Sequence, residues 1–484
     1  MLGILLSLVM VLAMLPATAL AADGDVAVNA DNFPDAKFLA EVKKLDAASD
    51  DILTKEELAA ITSIECNKSG IKDLTGIEYF TALRSLDCKE NSLAALDVSK
   101  NTELLTLNAR KNQLTELDIS KNTKLEELNC GHNNLTELDV SNNPELKSLV
   151  CTYNGLTALD VSNNLDLLDL EVYNNSLKTI DLGNCSKITD LEVDDNQLTE
   201  IDVSKLADLD YFDCYDNQLT EVDISKNTKL TEFDCENNEL TELDVSKNTM
   251  LVRLYCSYNM IRDLDLSQNG ELQYLYANSN YLLCLDLSSN EKIEDADFDF
   301  NGRIAADGMP VSELPGFDLE RVSQPDGGSF EGGTVNFDDN SDFIYYDYEL
   351  APGFTKEFGM FRGAYITFKV SGGTWKDGSS KDIVIEKYFE GGKDARGTLS
   401  EDEIPTEMLA GEGFEGGAWD AEPDTEKNGI AGDVTYTYAF TAVPEKEPAP
   451  ATGDDSHMVW LSVLGLSALA CAAYVTIAKK RRNS

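Results

Sequence analysis

LTELDVSKNT occupies residues 240–249, and near-copies stand at 114–123 (LTELDISKNT), 135–144 (LTELDVSNNP), 156–165 (LTALDVSNNL) and 219–228 (LTEVDISKNT). The residues ahead of each copy recur as well. Leu83, Leu104, Leu125, Leu146, Leu167, Ile188, Leu209, Leu230, Leu251, Leu272 and Ile293 follow one another at a constant interval of 21 residues. The full unit reads L-x-x-L-x-C-x-x-N-x-L-T-x-L-D-V-S-x-N-T-x. A fixed period of this length belongs to stacked repeats, because one unit cannot bury its apolar positions alone and a stack buries them together.

This unit resembles the leucine-rich repeat. The resemblance implies a mainly β solenoid of 21-residue coils with parallel strands, running over residues 61–303. Residues 61–82 (ITSIECNKSGIKDLTGIEYFTA) form a looser leading repeat, and the last unit fails after Asn301, with Arg303 where Leu belongs. Apolar residues at unit positions 4 and 6 between polar ones at 3, 5 and 7 give the period of two expected of a short strand. The LTELDVS half is then the return path, extended or tightly turned because its Thr and Val/Ile disfavour a long helix.

Three polar or reactive ladders run through the array. Position 6 holds Cys88, Cys130, Cys151, Cys214, Cys235 and Cys256, with Cys66 in the leading repeat, but Ala109, Val172, Val193 and Ala277 elsewhere. A position that accepts Ala and Val asks for a small apolar group, so these thiols read as core. Cys185 and Cys284 fall outside the ladder. Asn recurs at position 9 from Asn91 to Asn301, where its amide can satisfy backbone groups of two coils. Asp recurs at position 15 from Asp97 to Asp286, two residues ahead of Ser in nine coils, which predicts Asx turns.

Positions 3, 5, 7 and 8 face outward from the strands. There the array gathers Tyr153, Tyr173, Tyr211, Tyr215, Tyr255, Tyr258, Tyr274 and Tyr276, interleaved with Asp194 and with Glu171, Glu192, Asp195, Asp213, Asp216, Glu232, Asp234 and Glu236. The coils starting at Leu83, Leu104 and Leu125 carry no Tyr at these positions, so strand propensity alone does not demand them. Tyr is a favoured residue of recognition surfaces. The tyrosines and Asp194 are therefore the candidate site, for an extracellular protein or a glycan. A passive spacer is the alternative, and a glycan-active enzyme a weaker one.

The ends point to the cell surface. Residues 1–21 read as a secretory signal: an apolar run followed by Ala19-Leu20-Ala21. Residues 458–478 form an uncharged stretch long enough to span a bilayer, and the basic tail 479–484 would remain inside. Ala449-Pro450-Ala451-Thr452-Gly453 precedes that stretch within the Pro-rich spacer 444–457. Pentapeptide, span and tail together resemble the sorting signal of sortase substrates in Gram-positive bacteria. That resemblance implies covalent attachment of Thr452 to peptidoglycan, with Ala449 departing from the commoner Leu. The formal charge of −49, from 88 acidic and 39 basic residues, argues against nucleic acid as a partner.

Residues 22–60 are expected to form a helical cap. Their centre resembles an EF-hand loop, with Asp46, Asp50 and Glu57 at ligand positions, but Ala48 removes one ligand and Asp51 replaces the turn glycine. The expectation is a cap without metal. Residues 304–371 and 372–443 read as two small β modules, the second carrying Trp375 and Trp419 as expected core. With His132 and His457 the only histidines, no nucleophile–base set can be nominated, and no cofactor is implied.

Overall fold

The computed structural model describes residues 24–299, 301–376, 378–389, 399–400, 403–412, 414–421, 423, 430 and 434–442. The expected signal segment, the spacer with Thr452, the span 458–478 and the basic tail lie outside these residues. Among the described residues, no helix is long and apolar enough to cross a membrane. The chain forms two compact bodies. The first holds the described residues of Met1–Lys369, Lys381–Thr406 and Trp419–Thr437; the second holds those of Val370–Ser380, Glu407–Ala418 and Tyr438–Ser484.

The first body is dominated by a twelve-stranded parallel sheet whose strands follow chain order, from Ser63–Glu65 to Asp295–Asp297. Each strand is three residues long and pairs in register, so equivalent repeat positions stack across coils: Leu191 lies beside Leu170 and Phe212, and Glu192 beside Glu171 and Asp213. The middle residue of each strand is buried, except Ala296 of the last, which is half-buried, and its two neighbours face outward. The apolar positions of all coils join one continuous core, including every cysteine of the position-6 ladder. The chain is a mainly β solenoid with few helices, as the period implies.

Both Asn ladders hold the coils in register. Asn112 donates from Nδ2 to the carbonyls of Ala109 in its own coil (3.0 Å) and Cys88 in the preceding one (3.1 Å), and its Oδ1 accepts from Leu93 N–H at 3.0 Å. A second ladder stands at position 19, interrupted at Cys185 and Leu206. Asn143 donates to Ile119 O and Asn122 O, and the same pair of bonds recurs at Asn164, Asn227, Asn248, Asn269 and Asn290. Cys185 sits in that ladder, its Sγ directed at Val161 O and Asn164 O. That accounts for a cysteine which the position-6 pattern leaves unexplained. Every position-15 Asp from Asp97 to Asp286 accepts from the N–H two residues on. These are the expected Asx turns.

Two short helices, α1 (Ala36–Val42) and α2 (Lys55–Ala60), stand at the leading edge. Asp35 caps α1 and also accepts from Lys72 N–H, tying the cap to the first coil. Phe33, Phe38, Val42 and Leu53 are buried in the solenoid's own core. The loop between the helices uses its carboxylates internally. Asp46 accepts from Ser49 and Asp51 N–H, Asp50 from Ile52 N–H, and Glu57 closes a capping box with Thr54. Asp51 itself takes the left-handed conformation (φ 62°) at the place where a calcium loop has glycine.

At the other edge, strands follow the last coil. Phe343–Ala351 runs antiparallel to the following strand, and Gly302–Ala305 runs parallel to it. Tyr346 Oη donates to Leu283 O at 2.7 Å, and Leu287 N–H donates to Leu350 O at 2.8 Å. The apolar edge of the solenoid is thereby sealed. Trp419 packs edge-on against Phe368 within this body. In the second body, Gly373–Trp375 pairs antiparallel with Met408–Ala410, and Trp375 is buried.

Candidate functional site

The strand face carries the tyrosines in three clusters separated by acid rather than as one band. Tyr153 stacks on His132 (ring centroids 4.2 Å apart) and meets Tyr173 edge-on at 5.6 Å. Tyr211 directs its hydroxyl to Asp213 Oδ2 (3.4 Å), and the Tyr215 N–H donates to the other oxygen of the same carboxylate. Tyr255 stacks on Tyr276 at 5.3 Å, Tyr274 lies under the Arg253 guanidinium at 5.2 Å, and Tyr276 Oη donates to Asp295 at 2.7 Å. The coil starting at Leu230 interrupts the series, because Glu232, Asp234 and Glu236 stand where its neighbours carry tyrosine.

Tyr153 and Tyr258 project furthest, and both are exposed. They occupy position 8, where each coil from Lys68 to Ser279 takes a left-handed turn with φ between 50° and 56°. No glycine marks these turns, so the sequence gives no local sign of them. Each is held by its N–H donating to the next coil, as from Tyr153 to Tyr173 O. The backbone therefore fixes where these two rings point. Sequence reading also missed Arg253, which pairs with Glu232 at 3.0 Å and is the one cation among the outward strand positions of these coils.

In-register pairing stacks Glu171, Glu192, Asp213 and Asp234 into one row on adjacent strands. Partial burial raises these carboxyls, and their neighbours' charges raise them further. Glu192 is pushed up to about 7 by burial and the charges of Glu171 and Asp213. Asp194 reaches about 7 through burial and Asp213, and Asp234 about 8 through burial and Asp213. Burial also raises the Tyr211 hydroxyl, helped by Asp213. The position-15 carboxylates behave oppositely: hydrogen bonds from Ser204 lower Asp202, and those from Ser225 lower Asp223. Among the described residues, no group of three or more His, Cys, Asp and Glu side chains is arranged to hold a metal ion.

Coil period, in-register sheet and Asn ladders define a leucine-rich repeat protein. No protein-family model matches the chain. A 73-residue stretch, 15% of the chain, is 42% identical to Internalin J of Listeria monocytogenes serotype 4b (strain F2365), and 40% identical to Internalin J of serovar 1/2a (strain EGD-e). These stretches span only 8% and 9% of the two relatives. Among solved structures, the functional domain of InlJ from Listeria monocytogenes, which includes a cysteine ladder, aligns with 70% of this chain and 98% of its own. Its TM-score is 0.41 at 27% identity. The internalin InlF of the same species covers 58% of this chain and 99% of its own, with a TM-score of 0.40 at 21% identity.

Proposed function

We propose that this internalin-like repeat protein is displayed on a bacterial cell surface and recognises an extracellular protein or glycan through the strand face of its solenoid. One observation carries the reading: partly exposed tyrosines alternate with carboxylates that, among the described residues, have almost no cationic partner besides Arg253. Tyrosine brings broad contact area and a hydrogen-bonding tip at small entropic cost. A row of carboxylates with raised pKa is costly to maintain unfilled, and a cationic group from a ligand relieves that cost. The same reading includes sortase acting on the 449–453 motif and joining Thr452 to peptidoglycan. A passive spacer would need only solubility on this face, and half-buried like charges are a poor way to obtain it.

The test is a comparison of the full chain with a Tyr215→Ser, Tyr255→Ser, Tyr276→Ser variant on a glycan array and on an array of purified extracellular proteins. Every ligand held by the parent should be lost or strongly weakened in the variant, while the melting transition stays in place. Unchanged binding by a folded variant would remove the tyrosines as the site. The absence of any ligand on both arrays would favour the spacer.

A further inference from the structure

We propose that the return side of the solenoid, opposite the tyrosine face, carries a second docking groove for a lysine- or arginine-rich segment of a partner protein, lying across the coils that start at Leu167, Ile188 and Leu209. The proposal does not depend on what the tyrosine face binds.

The return side is grooved along more than one stretch, with a depression of about 790 Å³ floored by Leu96, Leu117 and Leu138. The stretch proposed as the docking site departs from the repeat in its floor. At position 14, Leu96, Leu117, Leu138, Leu159, Leu243 and Leu264 are all buried. In three consecutive coils the residue is Ile180, Ile201 or Val222 instead, and each stays half-buried. The depression they floor measures about 940 Å³ and is open to solvent. Glu200 and Glu221 line it from position 13, and Asp202 and Asp223 from position 15. Two rows of exposed carboxylates thus flank an aliphatic strip. A Lys or Arg side chain matches that cross-section, with its methylene stem on the strip and its charged head at a rim.

Cations from the chain itself meet the same two acidic rows, once on the groove and once beyond it. Arg321 Nη2 lies 3.1 Å from Asp286 Oδ2, at position 15 of the coil starting at Leu272, beyond the groove. Lys381 Nζ lies 3.5 Å from Glu221 Oε2, on the groove. Lysines at position 18 only partly offset the acid. Over the coils starting at Ile188, Leu209 and Leu230, whose acids line the depression, Lys205, Lys226 and Lys247 stand against Glu200, Asp202, Glu221, Asp223, Glu242 and Asp244. The Asx turns keep the position-15 carboxylates ionised at neutral pH, since bonds from Ser204 and Ser225 lower Asp202 and Asp223. The strand-face row is pushed the other way. Of the two acidic faces, the return side holds the firmer negative charge.

The probe is a fluorescent peptide of about eight residues in which arginine alternates with leucine, compared with its arginine–serine counterpart. Both are titrated into the full chain at about 0.15 M and 0.5 M salt. The arginine–leucine peptide should persist at the higher salt, where the arginine–serine peptide is lost. Val222→Arg, which fills the groove with its own cation, should weaken it about tenfold or more. Glu221→Gln with Asp223→Asn preserves shape and should weaken it at the lower salt, so the proposal stays testable if Val222→Arg misfolds. Asp213→Asn with Asp234→Asn on the strand face should leave the affinity unchanged. Equal binding of the two peptides, indifference to the Glu221/Asp223 pair, or equal loss from the strand-face variant would each overturn the groove.

Discussion

Replacing Asp234 by Asn should stabilise the protein at pH 8.5 and do little at pH 4.5. Asp234 stands beside Asp213 on the adjacent strand, and beyond Asp213 lie Glu192 and Glu171. Parallel strands lie about 4.8 Å apart. Two full charges at that spacing repel by roughly 1 kcal/mol in water and roughly 3.5 kcal/mol at the effective dielectric of a protein surface. The Asn variant removes that contact together with the cost of desolvating one carboxylate. Because the row is partly open to solvent, the expected gain is about 1–3 kcal/mol, or roughly 3–8 °C in Tm.

The direction with pH follows from linkage. Glu192, Asp194 and Asp234 have folded pKa values of about 7, 7 and 8, above the ordinary carboxyl value. The folded state therefore holds protons that the unfolded chain releases. Their stabilising effect is complete below the unfolded pKa of about 4 and is lost as pH rises through 7–8. The position-15 carboxylates, lowered by their Asx turns, contribute stability above about pH 4 and lose it as pH falls through their folded values. Melting followed by circular dichroism from pH 4 to 9 should peak between these windows, near pH 5. The fall towards pH 9 should be shallower in the Asp234→Asn protein. A parent Tm that rises from pH 6 to 9, or a variant less stable than the parent at pH 8.5, would refute the reasoning.

Asn133→Ala removes bonds to Cys130 O and Ala109 O and orphans the Leu114 N–H; it should cost about 2–4 kcal/mol in urea denaturation. The position-6 cysteines should remain thiols after export. In-register strands hold neighbouring Cβ atoms near the strand spacing, whereas a disulfide requires about 3.8 Å, and burial raises Cys66 and Cys130 to about 12. Mass measurement after alkylation in denaturant should count them all as reduced. Chelation should leave the melting transition unmoved, because Asp46 and Glu57 already spend their oxygens on backbone N–H groups of the cap; a drop of many degrees would restore calcium to the loop.

What was legible in the sequence was whatever repeats. A 21-residue spacing states that Leu104, Leu125 and Leu146 occupy equivalent places, and stacking turns equivalence directly into contact. Strand register, cysteine ladder and Asx turns therefore followed from counting. What was not legible depends on differences between coils or on conformation without a compositional mark. The left-handed turn under Tyr153 and Tyr258 is imposed by hydrogen bonds to the next coil, and side chains as different as Lys, His, Tyr, Asp and Ser tolerate it. The Asn ladder at position 19 was present in the letters but hidden beside the more familiar one at position 9. The change from Leu to Ile and Val at 180, 201 and 222 looks conservative, yet it leaves these three side chains half-buried where the leucines of other coils are buried. The tyrosines illustrate the same limit from the other side. Their positions predicted which face they would share, but the acids of two intervening coils, Glu192 to Asp195 and Glu232 to Glu236, divide them into separate clusters. In this solenoid the consensus specifies the scaffold, and both candidate binding surfaces lie in the coils that depart from it.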